Sequence, residues 1–115
     1  MNHIIHADNS EFFRKLMKSF LVELGLEIKS FAQGEEVINA VKQGGTSYVI
    51  TGLELADMKG EELIKRLMVL PEHVPIIIVT SNEKELRSKR LNALGIKAML
   101  SKSENWKDEL KSIII

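Results

Sequence analysis

The 115-residue chain is 44% hydrophobic and 28% charged, which suits one globular domain over residues 1-115 and leaves no room for a second independent core. Sixteen basic residues balance sixteen acidic ones, so no global field favours nucleic acid or an anionic membrane. Cysteine is absent, which excludes disulfides, thiolate metal sites and cysteine nucleophiles. The start MNHIIHADNSEFF lacks the charged and apolar segments of a signal peptide, and no apolar run is long enough to span a bilayer. A soluble, cytoplasmic protein is expected.

In chain order, short apolar runs alternate with helical stripes. His3 to Ala7 reads as a strand, followed by Asp8, Asn9 and Ser10, each able to cap a helix. Phe13, Leu16, Met17, Phe20, Leu21 and Leu24 then give that helix one apolar face, ending near Gly25. A strand from Leu26 to Phe31 leads to a shorter helix with Val37, Ile38 and Val41 inward, stopped by Gly44 and Gly45. Tyr48 to Leu53 is a third strand, and a loop from Glu54 to Lys59 precedes a helix that opens at Gly60 and stops before Pro71.

Ile76 to Thr80 is continuously apolar and β-branched until its last residue, the pattern of a central parallel strand buried on both faces. A polar helix is predicted from Asn82 to Leu94, a fifth strand from Ile96 to Leu100, and a final helix with Trp106, Leu110, Ile113 and Ile114 on one stripe. Five βα units in succession imply parallel pairing through right-handed crossovers, a three-layer α/β/α sandwich. In open sheets of this kind chemistry gathers beyond the carboxyl ends of the strands. Those ends are Asp8-Asn9-Ser10, Gly52-Leu53-Glu54, Thr80-Ser81 and Ser101-Lys102-Ser103.

The four loops, in that order, resemble the receiver domain of two-component response regulators, the family of the chemotaxis response regulator. ADNSEFFRKL is similar to the family's acidic pair and its following arginine, here Arg14. PIIIVTS resembles the fourth strand, with Thr80 and Ser81 at its end, and GIKAMLSK resembles the fifth, ending at Lys102. GLELADMKGEELI resembles the segment from the phosphoacceptor to the glycine that opens the third helix, here Gly60. The resemblance covers almost the whole chain and implies a flavodoxin-like (βα)5 fold with a five-stranded parallel sheet in the order 2-1-3-4-5.

It also implies a site, and this sequence departs from it. The family phosphorylates an aspartate at the end of strand three, and an acidic pair helps it hold Mg²⁺, because a carboxylate must attack while a hard cation and an ammonium neutralise developing charge. Here the acceptor position is Gly52 and the pair is Asp8-Asn9, so two of three acidic ligands are missing. The aromatic switch position is Met99, and the proline after the lysine is Ser103. Thr80 and Lys102 match, with structural roles open to both: a bond to loop backbone for Thr80 and a pair with Asp8 for Lys102.

The expectation is a non-enzymatic pseudo-receiver whose degenerate pocket, Asp8, Asn9, Gly52, Thr80 and Lys102, takes no phosphoryl group. No cofactor is expected; residual Mg²⁺ binding would fall to Asp8 and Glu54. Its partner would be a signalling protein, with neither nucleic acid nor membrane, and the chain would be a monomer or weak homodimer. Arg87, Arg90 and Trp106, on the face formed by helix 4, strand 5 and helix 5, are the candidate partner surface, although core packing is the default role of Trp106 and an interface anchor the lesser one. One alternative is a true phosphorelay receiver using Glu54 or Asp57 as substitute acceptor. Another is a flavodoxin-like cofactor protein, which would want a glycine- and hydroxyl-rich phosphate loop where Asp8-Asn9-Ser10-Glu11 places two acids. His6 reads as a core imidazole, and neither His3 nor His73 has a second ligand at metal spacing.

Overall fold

The computed structural model describes residues 2–115. Its elements are β1 (His3–Ala7), α1 (Glu11–Glu23), β2 (Ile28–Phe31), α2 (Gly34–Lys42), β3 (Thr46–Thr51), α3 (Gly60–Met68), β4 (Ile76–Thr80), a 3-10 turn (Glu85–Arg87), α4 (Lys89–Asn92), β5 (Ala98–Ser101) and α5 (Trp106–Ile114). All five strands are parallel, in the order β2-β1-β3-β4-β5.

Strand alternation divides the core in two. Ile5, Ala7, Val49, Ile76 and Ile78 face one layer, where α2 and α3 cover them with Val37, Ile38, Val41, Leu63, Ile64 and Leu67. Their neighbours Ile4, Ile50, Ile77 and Val79 face the other layer, where α1 and α5 supply Phe13, Met17, Leu21, Trp106 and Leu110. Ile77 and Ile78 are fully buried on opposite faces, which explains why β4 tolerates no polar residue before Thr80. Each such side chain contributes roughly 1.5–3 kcal/mol by leaving water.

Helix ends follow local chemistry. The Ser10 hydroxyl accepts from the Phe13 N–H at 3.1 Å and caps α1. Gly25, at φ 79°, reverses the chain so that the Leu26 N–H returns to the Leu21 carbonyl.

Four boundaries differ from the sequence reading. β2 starts at Ile28 rather than Leu26, and β3 runs Thr46–Thr51 rather than Tyr48 to Leu53, because His3 and Gly45 already bond across at its start. β5 is Ala98–Ser101 rather than Ile96 to Leu100. The predicted helix from Asn82 to Leu94 is broken. Ser88 is extended, at φ −67° and ψ 117°, and its hydroxyl accepts from the Leu91 N–H at 3.1 Å, so it caps a new four-residue helix instead of continuing an old one.

Candidate functional site

The ends of β1, β3, β4 and β5 converge on a cavity of about 270 Å³ lined in part by Asp8, Asn9, Gly52, Glu54, Thr80 and Lys102. The structure therefore brings together every residue that the sequence places in the degenerate pocket.

Asp8 is the centre of the arrangement. It is 4% exposed. Its Oδ1 accepts from the Ser10 N–H at 2.9 Å, and its Oδ2 lies 2.8 Å from the Lys102 ammonium and accepts no other hydrogen bond. The Arg14 guanidinium donates to the Asp8 carbonyl at 2.7 Å, which fixes the turn from β1 into α1. Lys102 is held on its other side by the Phe13 ring, whose centroid is 4.1 Å from Nζ. Phe13 is braced in turn by the Trp106 ring at 5.1 Å.

Gly52 lies beneath Asp8. A Cβ built on it would sit 2.8 Å from Asp8 Oδ2, so the carboxylate occupies the space a side chain at 52 would claim first. Gly60 is needed for a different reason: its Cβ would collide with the Gly52 carbonyl, and its own N–H donates to Leu53 at 2.8 Å. The Thr80 hydroxyl accepts from the Asn82 N–H at 3.0 Å, a local turn at the end of β4. Thr51 is buried and its hydroxyl donates to the Gly52 carbonyl, away from the cavity.

The two loop carboxylates are committed elsewhere. Glu54 is exposed and both its oxygens accept from the Lys59 ammonium, at 2.8 and 2.7 Å. Asp57 points to the start of α2, where it accepts from the Gly34 N–H at 2.7 Å and the Glu35 N–H at 3.1 Å. Slight burial works to raise the Asp57 carboxyl, but those two N–H groups and nearby Arg66 outweigh it and hold the group below its ordinary value. Sequence reasoning missed this cap because its partners are more than twenty residues away, with no local signal.

A hard dication wants several anionic oxygens. In this cavity one buried carboxylate is available, already facing an ammonium, beside the exposed amide residue Asn9 and a glycine. Glu54 would have to leave Lys59 to join it. Among the described residues no three His, Cys, Asp or Glu side chains are grouped to hold a metal ion.

The remaining sequence candidates separate. Arg87 is exposed, whereas the Arg90 guanidinium is exposed but engaged, its Nε donating to both Glu61 oxygens at 3.0 and 3.2 Å. Trp106 takes the core role expected by default and leaves the candidate partner surface: it is 6% exposed and packed between Phe13 and Phe20. Met99 is half-buried on β5 against the α2/α3 core layer. His6 is a core imidazole, as expected, with Nδ1 3.4 Å from the Ser30 hydroxyl.

Residues 4–114 match the response regulator receiver domain. The chain belongs to that family. The receiver fold is shared with the response regulator TrrA of Thermotoga maritima, solved as a complex with Mg²⁺ and BeF, at 29% identity and a TM-score of 0.85 over 99% of this chain and 96% of that one. It is also shared with the chemotaxis response regulator CheY4 of Vibrio cholerae, at 22% identity and a TM-score of 0.85 over 98% and 96% of the two chains. Among curated relatives, the sensor histidine kinase RcsC of Escherichia coli K12 is 26% identical over 99 residues, 86% of this receiver domain. The chain spans about 10% of that relative's length. No described helix of this receiver domain is long and apolar enough to cross a membrane.

Proposed function

We propose that this receiver domain is a pseudo-receiver, which acts through protein contacts without accepting a phosphoryl group. By the resemblance of GLELADMKGEELI, Gly52 stands where relatives carry the phosphorylated aspartate. The observation that carries the reading is the space above Gly52: no side chain leaves it, and the Asp8 carboxylate, neutralised by Lys102, lies 2.8 Å from where its Cβ would be. Phosphoryl transfer needs a nucleophile there and a cation to offset developing charge. The first is absent, and the donor set does not suit Mg²⁺, since Asp8 already has its counter-ion. The Asp8–Lys102 pair instead ties β1 to β5 and holds the pocket in one arrangement.

Substitute acceptors fit the geometry poorly. Asp57 serves as a helix cap, and Glu54 is held by Lys59 on the cavity rim. Incubation with acetyl phosphate and Mg²⁺, followed by intact-mass spectrometry, tests the reading. An unchanged mass is expected; a phosphoryl adduct mapped to Glu54 or Asp57 would replace the pseudo-receiver with a receiver that uses a substitute acceptor.

A further inference from the structure

β2 forms one edge of the sheet, because only β1 pairs with it. The Glu27 and Phe31 carbonyls accept from the Ile4 and Asp8 N–H groups, at 2.9 and 3.1 Å. The odd-numbered residues of this stretch therefore turn their backbone groups towards β1, and the N–H and C=O of Ile28 and Ser30 turn outward. Among the described residues nothing bonds to these outward groups.

Such an open row is a template for another strand, and proteins commonly blunt it with charge. The charges on this edge are an opposed pair. Glu27 and Lys29 are both exposed, and neither forms an ion pair among the described residues. Alternation puts both on the α2/α3 face, the one that Phe31 takes, while Ile28 is half-buried on the α1/α5 face.

A second copy of the chain, turned about a twofold axis normal to the sheet, brings the same edge in antiparallel. The register centred on Ile28 sets that residue opposite its twin as a hydrogen-bonded pair, and it sets Glu27 opposite the partner's Lys29 on both sides of the axis. Those are the non-hydrogen-bonded positions, where opposed Cα atoms are about 4.5 Å apart and side chains meet most closely. A register centred on Lys29 would oppose lysine to lysine, and one centred on Ser30 would oppose Lys29 to the partner's Phe31. Only the register on Ile28 neutralises both charges. The other edge strand, β5, carries no charged residue and has no such code.

We propose that the chain self-associates edge to edge through β2, in the register centred on Ile28, joining two sheets into one. The strands of the two copies then run in opposite directions, so their Gly52 cavities open at opposite ends of the pair. An edge of four residues buries less than a standard interface, so the association is weak and shows at high concentration. The proposal does not depend on the missing acceptor, and a phosphorylated chain would leave it standing.

Sedimentation velocity over a concentration series, with amide NMR dilution to locate the contact, tests it. A concentration-dependent passage from monomer to dimer is expected, with the largest dilution shifts around Ile28 and Ser30. Glu27→Lys or Lys29→Glu sets like charges opposite each other on both sides of the axis, and either change should weaken association about tenfold. The double exchange, Glu27→Lys with Lys29→Glu, should restore it to within about threefold of the unaltered chain. A mixture of the two single variants should also associate more tightly than either does alone. A single monomeric mass up to about 1 mM, a dimer indifferent to both single variants, or a double exchange that stays dissociated would overturn the proposal.

Discussion

Asp8 and Glu54 line the same cavity, yet water treats them differently. Asp8 is buried and its charge is tolerable only because Lys102 stands 2.8 Å away. Glu54 is exposed, and its bond to Lys59, although equally short, competes with good solvation on both sides. Asp57, in the same loop, is exposed too but bonds to two N–H groups that have no helical partner. Three carboxylates at one end of a sheet therefore do three jobs: one balances a buried lysine, one decorates a rim, and one caps a helix. Distance alone does not rank them; the cost of losing the partner does.

That ranking can be broken by mutation. Lys102→Met should be the most damaging change, because it strands a buried carboxylate. Urea denaturation should register a loss of about 2–4 kcal/mol, less than for a fully enclosed pair because the lysine side chain is 21% exposed. A comparable effect should come from acid acting on His6. Burial pushes that imidazole down to about 4, with Asp8 opposing the shift and Lys102 and Arg14 adding to it. The unfolded chain takes up the proton near the ordinary value of about 6.5 and the folded one only near 4, so this contribution is complete above pH 6.5. It falls as the pH drops from 6.5 towards 4, by roughly 3 kcal/mol in all. Denaturation curves at a series of pH values should show that slope, and His6→Phe should flatten it. Smaller effects sharpen the comparison of the loop carboxylates. Asp57→Ala should cost about 1 kcal/mol as a lost cap, while Glu54→Gln should cost less than about 0.5 kcal/mol. If Glu54→Gln proved the costlier of the two by urea denaturation, the roles assigned to them would be reversed.

The parts of the fold that sequence revealed are those where one residue type has one use. Ile76 to Val79 admits no reading but a strand buried on both sides, and the stripe from Phe13 to Leu24 admits only a helix against a sheet. The pocket residues were legible because they sit at strand ends, which topology forces together. What escaped was decided by competition at single residues. Ser88 could continue a polar helix or cap a new one, and the cap won through its bond to Leu91. Trp106, by contrast, was legible as a core residue from its place on the apolar stripe of α5, and Phe13 and Phe20 hold it there. Asp57 was legible as an acid in a suggestive loop, but its cap depends on α2 arriving from another part of the chain.

The central claim is that the cavity above Gly52 no longer accepts a phosphoryl group. Its most direct test is an amide NMR titration with Mg²⁺ and then beryllofluoride, a phosphoryl mimic, followed at Asp8, Gly52, Thr80 and Lys102. The account predicts no saturable change at these four residues. Saturable, Mg²⁺-dependent shifts there would contradict it, because they would mean that the Asp8–Lys102 pair opens to admit the ligand it is argued to replace.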